Sequence, residues 1–148
     1  MGIKTIGIIV LLLGLVCLVI GSIFIWQSFD VKAKVTEGLL DEQITTGIPK
    51  EGDEGYNPNN IYVDTAAEAQ AAHDTILSHM REDPGRYGDT ERDSPERAAY
   101  VDGITLRNSL TIAVMGFGVS TIALASGAVM VVTAVALGGI GLVLRRQE

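Results

Sequence analysis

The chain has 148 residues, 47% of them apolar, one cysteine and a net charge of −7. That length holds one small domain and a few membrane spans, and the acidic balance argues against a nucleic-acid partner. The single cysteine, Cys17, excludes a disulfide within the chain.

The apolar residues crowd into the two ends. Thr5 to Phe29 is a run of 25 residues without a charge, and Asn108 to Leu144 is a second run of 37. About 20 apolar residues cross the hydrocarbon core. Both runs exceed that, so the expectation is an all-α membrane protein. Two long transmembrane helices, over 5–29 and within 108–144, would extend into a small, mostly helical extracytoplasmic domain.

The first run is too long for the apolar stretch of a cleaved signal peptide, and no small-residue cleavage site follows it. Trp26 and Phe29 suit a membrane–water boundary instead. Val16 stands where a lipoprotein signal needs a small residue before its cysteine.

Residues 1–4 and 145–148 are expected to be cytoplasmic tails, since they hold Lys4, Arg145 and Arg146 against Glu148. Residues 30–107 carry 8 Lys and Arg against 17 Asp and Glu. Positive residues stay on the cytoplasmic side, so both termini are expected inside and the acidic segment outside the cell membrane. The second run would be about 56 Å long as one helix, against a core of about 30 Å. Two arrangements fit: a single helix projecting beyond the membrane, or a hairpin turning near Gly116–Gly118 or Gly138–Gly141. The single helix is preferred, because a hairpin of two full spans needs about 40 residues plus a turn.

After the first span, Val31, Val35 and Leu39 recur at helical spacing, so the helix is expected to run on over 30–43. Residues 45–63 are punctuated by Gly47, Pro49, Gly52, Gly55 and Pro58 and read as irregular. A short strand at Ile61-Tyr62-Val63, against Ile44-Thr45, is the one ordered feature anticipated there. Thr65-Ala66-Ala67-Glu68 is a capping-box pattern. It opens a helix over 66–82 with Ala69, Ala72, His73, Ile76, Leu77 and Met80 on one face, ended by Pro84-Gly85. Residues 83–93 read as a charged loop. Ser94-Pro95 then starts a helix over 95–107 that continues into the membrane.

Two stripes of small residues recur every seven positions: Gly7, Gly14 and Gly21 in the first span, and Ala113, Ser120, Gly127, Ala134 and Gly141 in the second. Seven residues are nearly two turns, so each set lines one helix face. In lipid, close backbone approach at small residues supplies helix–helix contact. These eight residues are the expected packing faces. Their partner is the other span, a second copy or another membrane subunit, all surrounded by membrane lipid.

Chemistry-bearing patterns are sparse. Neither span holds an ionisable residue, which argues against a pump or proton relay. His73 and His79 are the only histidines. On one helix they point about 240° apart and cannot share a metal. Asp53-Glu54-Gly55 and Asn57-Pro58-Asn59-Asn60 are rich in oxygen ligands but form no calcium-loop pattern. A solvated acidic face is the default there. No nucleophile–base arrangement and no phosphate-binding loop is present. No catalytic, cofactor-binding or metal residue, and no cofactor, is therefore assigned.

The segments VKAKVTEGLLDEQIT from Val31 to Thr45, VDTAAEAQAAHDTILSHM from Val63 to Met80 and ITLRNSLTIAVMGFGVSTIAL from Ile104 to Leu124 follow one another in a distinctive order. That order resembles a group of uncharacterised two-pass membrane proteins of actinobacteria and related bacteria. Leu39, Leu40, Glu42, Ile44, Thr45, His79, Leu106, Arg107, Ser109 and Leu110 carry the resemblance. Some members bear the label of aromatic ring-opening dioxygenase, but two histidines so placed supply no iron site. The resemblance implies architecture and no activity. The functional expectation is a non-enzymatic accessory or scaffold protein. The alternative is an extracytoplasmic sensor or ligand-binding module anchored by two spans.

Overall fold

The computed structural model describes residues 2–44, 62–83 and 85–146. They form α1 (Ile3–Asp41), α2 (Ala66–Glu82), a single 3-10 turn (Tyr87–Asp89) and α3 (Pro95–Arg146), with no strand among them. The chain is mostly helical. α1 and α3 are each long and apolar enough to cross a membrane. α3 is one unbroken helix of 52 residues, and both Gly116–Gly118 and Gly138–Gly141 lie inside it. Neither position turns the chain, because no proline follows Pro95 to interrupt the i→i−4 ladder.

The contacts divide the chain into two units. The first comprises residues 1–31 and 119–148, the second residues 32–118.

In the first unit α1 and α3 run antiparallel, and their small residues meet. A methyl built on Gly7 would lie 3.1 Å from the carbonyl oxygen of Gly141. One on Gly14 would lie 3.2 Å from that of Ala134, and one on Gly21 2.9 Å from that of Gly127. Leu11, Ile25 and Val131 flank these glycines, but many of the large side chains of the unit point away from the seam. Trp26, Ile122, Val132 and Val135 are 67–70% exposed. A water-soluble helix pair would turn these side chains inward, since burying each is worth about 1.5–3 kcal/mol.

The second unit has a conventional core. Leu39 from α1, Ala69 and Ala72 from α2, Leu110, Ala113 and Phe117 from α3, and Val63 form one buried cluster. Val35 and Ile44 pack against it. Here the apolar run of α3 serves a core rather than a span, which accounts for its excess length. Leu110, Ala113 and Phe117 recur at spacings of three and four, the period of one helix face.

The termini follow from local chemistry. α1 ends in a Schellman motif: the Ile44 N–H donates to the Leu39 carbonyl at 3.2 Å and the Gln43 N–H to the Leu40 carbonyl at 3.0 Å. Gln43 takes the left-handed conformation, φ 50°, and Ile44 folds back onto the core, the usual apolar contact of that motif. Where a strand was expected, the described residues show one bridge, with the Val63 N–H donating to the Ile44 carbonyl at 2.9 Å. Thr45 and Ile61, and with them the irregular segment and its Asp53–Asn60 oxygen cluster, lie outside the described residues.

At the start of α2 the capping box is complete. The Glu68 N–H donates to Thr65 Oγ1 at 3.3 Å, and Glu68 Oε2 accepts from the N–H groups of Thr65 and Asp64. α2 closes with Gly85 at φ 97°, whose N–H donates to the Met80 carbonyl. Pro84 lies outside the described residues. α3 opens with Ser94 Oγ accepting the Arg97 N–H at 3.2 Å.

Candidate functional site

The eight small residues singled out by spacing occupy two places. Gly7, Gly14 and Gly21 of α1, with Ser120, Gly127, Ala134 and Gly141 of α3, are buried in the first unit. Ala113 is buried in the core of the second. Gly127 makes the tightest approach to backbone in the seam, since a methyl there would lie 2.7 Å from the Gly21 carbonyl oxygen. Ser28 continues the α1 stripe one heptad further and is 3% exposed. Its spacing from Gly21 was the available signal. Ser is polar, so it escapes a search for glycine, yet it is small enough for the same close approach.

Unit 2 holds a polar cluster that neither spacing nor motif reveals. Arg107 of α3 donates its Nε–H to His73 Nε2 of α2 at 2.8 Å. On the other side of the ring, His73 Nδ1 lies 2.9 Å from Asp74 Oδ1. Guanidinium has only donors, so Nε2 must be the accepting nitrogen. The imidazole is then neutral, with its proton on Nδ1 and donated to Asp74. Gln70 Nε2 donates to the same carboxylate at 2.9 Å. The His73 bond, with help from Gln70, holds the Asp74 carboxyl below the ordinary range. The His73 side chain is 15% exposed against 62% for Asp74, so the Arg107 side of the ring is the sheltered one. His79 is exposed on α2. Among the described residues, no three His, Cys, Asp or Glu side chains gather to hold a metal.

A second cluster ties the 87–90 turn to α3. Arg97 donates from Nε to Thr90 Oγ1 at 3.2 Å, from Nη2 to the Tyr87 carbonyl at 3.2 Å, and from Nη2 to the Thr90 carbonyl. Its guanidinium carbon lies 4.4 Å from the centre of the Tyr87 ring, within cation–π range. Tyr100 flanks that ring at 5.9 Å. The sequence shows Arg97 only as one more charge after a helix start.

Two carboxyl groups at the start of α2 are driven apart. The Glu68 carboxylate accepts the Asp64 N–H and is held low, with the Thr65 hydroxyl adding to the effect. The Asp64 carboxyl is raised by its hydrogen bond to Glu68.

These features define a helical protein with two candidate membrane-spanning helices and a compact three-helix unit. Searches of protein-family models, curated proteins and solved structures found no match to this chain.

Proposed function

We propose that this chain is a two-pass integral membrane protein of accessory or scaffold type, without catalytic activity. The helix pair of residues 3–31 and 119–146 anchors it, and the acidic 30–107 segment is presented outside the membrane. Lys4, Arg145 and Arg146 mark the cytoplasmic side.

The observation that carries the reading is the inversion of the first unit, whose fully buried positions are glycine, alanine and serine while many of its Leu, Ile, Val, Phe and Trp side chains are exposed. That order suits hydrocarbon and not water. The small-residue seam is used within the chain. A partner subunit or second copy therefore meets the outer faces of the helices, or the acidic segment. Glu68 is engaged in a cap and Arg97 in a clamp, and the segment is read as a docking surface rather than a reaction centre.

The test is purification of the full chain in mild detergent after in-cell crosslinking. A partner or second copy recovered in fixed stoichiometry is the expected result. A strictly monomeric protein with no crosslinked neighbour would overturn the scaffold reading.

A further inference from the structure

The first unit carries a groove of about 250 Å³ beside its seam, lined by Leu11, Gly14, Leu15 and Leu18 of α1 and by Ala134 and Gly138 of α3. A methyl built on Gly138 meets nothing within 4 Å, so the groove is open at that residue. The helical period leads both walls to a cation at the same end. On α1, Lys4 falls within about 60° of Leu11, Leu15 and Leu18. On α3, Arg145 falls within about 40° of Ala134 and Gly138. Lys4 stands seven residues before Leu11 and Arg145 seven after Gly138, about 10 Å along either helix. The seam sets the two ends side by side, since Arg145 Cγ would lie 3.1 Å from a methyl on Gly7. We infer that this corner binds one anionic phospholipid, with its phosphate between Lys4 and Arg145 and an acyl chain in the groove.

The dimensions and the charge both fit. A headgroup layer is about 6 Å deep, so a phosphate held at the cations leaves its acyl chain at the level of Leu11 and Gly138. Lys4, Arg145 and Arg146 outnumber Glu148, the carboxylate nearest to them in sequence. Arginine suits a phosphate, which its fork meets with two parallel bonds. A lipid with a choline headgroup would bring a cation of its own to the same place. A second copy lying in the groove in the same orientation would do worse, setting its three cations level with these three. Within hydrocarbon the groove adds close packing along the chain rather than a hydrophobic force, so it selects where the lipid lies while the cations select its charge. The inference rests on the membrane part of the proposed function, and not on its sidedness or on the scaffold role.

The experiment reconstitutes the full chain in vesicles of phosphatidylcholine with a minority of phosphatidylglycerol, both with the same acyl chains. The chain is then extracted in mild detergent and its bound lipid counted by native mass spectrometry. One phosphatidylglycerol per chain, enriched about tenfold or more over its share of the vesicle, is the expected result. Arg145→Gln should lower the enrichment about fivefold, the worth of one cation near charged lipid. Arg146, about 100° round the helix from Arg145, lies off this face, and Arg146→Gln should lower the enrichment less than about twofold. Gly138→Leu fills the groove with every charge in place and should remove the bound lipid. Phosphatidylglycerol carrying a photoreactive acyl chain should label residues 11–18 and 134–138 of the natural chain, and this arm decides alone should Gly138→Leu fail to insert. Equal losses in the two arginine variants, or full retention in Gly138→Leu, would reduce the binding to general surface attraction and overturn the site. Loss of a dimer rather than of lipid in Gly138→Leu would give the groove to a second copy and overturn it too. A chain that inserts but shows neither enrichment nor labelling overturns the site and leaves the membrane reading standing, whereas a chain that never enters the vesicles overturns both.

Discussion

Gly127 and Gly118 share a helix and a residue type, but not an environment. A methyl at Gly127 meets the Gly21 carbonyl at 2.7 Å and the Ile25 backbone nitrogen at 3.0 Å, whereas one at Gly118 meets nothing within 4 Å. Backbone cannot step aside as a side-chain tip does, so Gly127→Ala must part the helices locally. Overpacking of this kind costs about 1–3 kcal/mol. Gly118→Ala should be neutral or slightly stabilising, because alanine is the better helix former. Thermal unfolding of both variants in one detergent checks the contrast. Equal midpoints would mean that the seam contributes nothing to stability. The heptad spacing pointed to residues of the right kind, but the difference between two glycines nine positions apart is a property of what lies opposite.

At the scale of the element, α2 opens on a complete capping box. Glu68 gives the sharper prediction. Its carboxyl is held below the ordinary range by the Asp64 N–H and the Thr65 group. A carboxyl lowered in the folded state contributes stability that is present above its unfolded value and lost as the pH falls through its folded value. The cap should therefore survive acidification past the ordinary glutamate range, while Asp64, shifted the other way by Glu68, protonates earlier. Carboxyl carbon shifts followed through an acid titration should show that order. Thr65→Ala should raise the Glu68 midpoint and cost α2 about 1 kcal/mol. An unchanged midpoint would remove Thr65 from the account. Both cap residues were legible as a four-residue pattern, because a capping box is closed by neighbours in sequence. The Schellman end of α1 was less so. Gln43 occupies a position where glycine is usual, so the stop at Asp41 carries no glycine or proline signal.

On the scale of the molecule, the membrane reading makes a prediction about Trp26. This single tryptophan is 68% exposed at the charged end of the first apolar run. That is the place where an indole settles at the headgroup level. Reconstituted in vesicles, its fluorescence should be quenched more by lipids brominated near the headgroup than by lipids brominated near the chain ends. Strongest quenching at the chain ends, or none in either, would remove the proposed boundary. The 37-residue apolar run of α3 is too long for one bilayer. Leu110, Ala113 and Phe117 take its first part into the core of unit 2, so the run changes employment along its length without any change in composition.

The sequence by itself determined what depends on near neighbours and on period. It set the helical class, the two spans' worth of apolar length, the caps at Thr65 and Ser94, and the small faces at seven-residue intervals. Tertiary structure decided everything that depends on which face meets which. It paired Gly21 with Gly127, divided the apolar run of α3 between a seam and a core, and brought Arg107 to His73 and Arg97 to the Tyr87–Thr90 turn. Periodicity repeats identically along a helix, so it names a face without naming its partner. A contact between residues 34 positions apart exists only once the chain has folded back on itself.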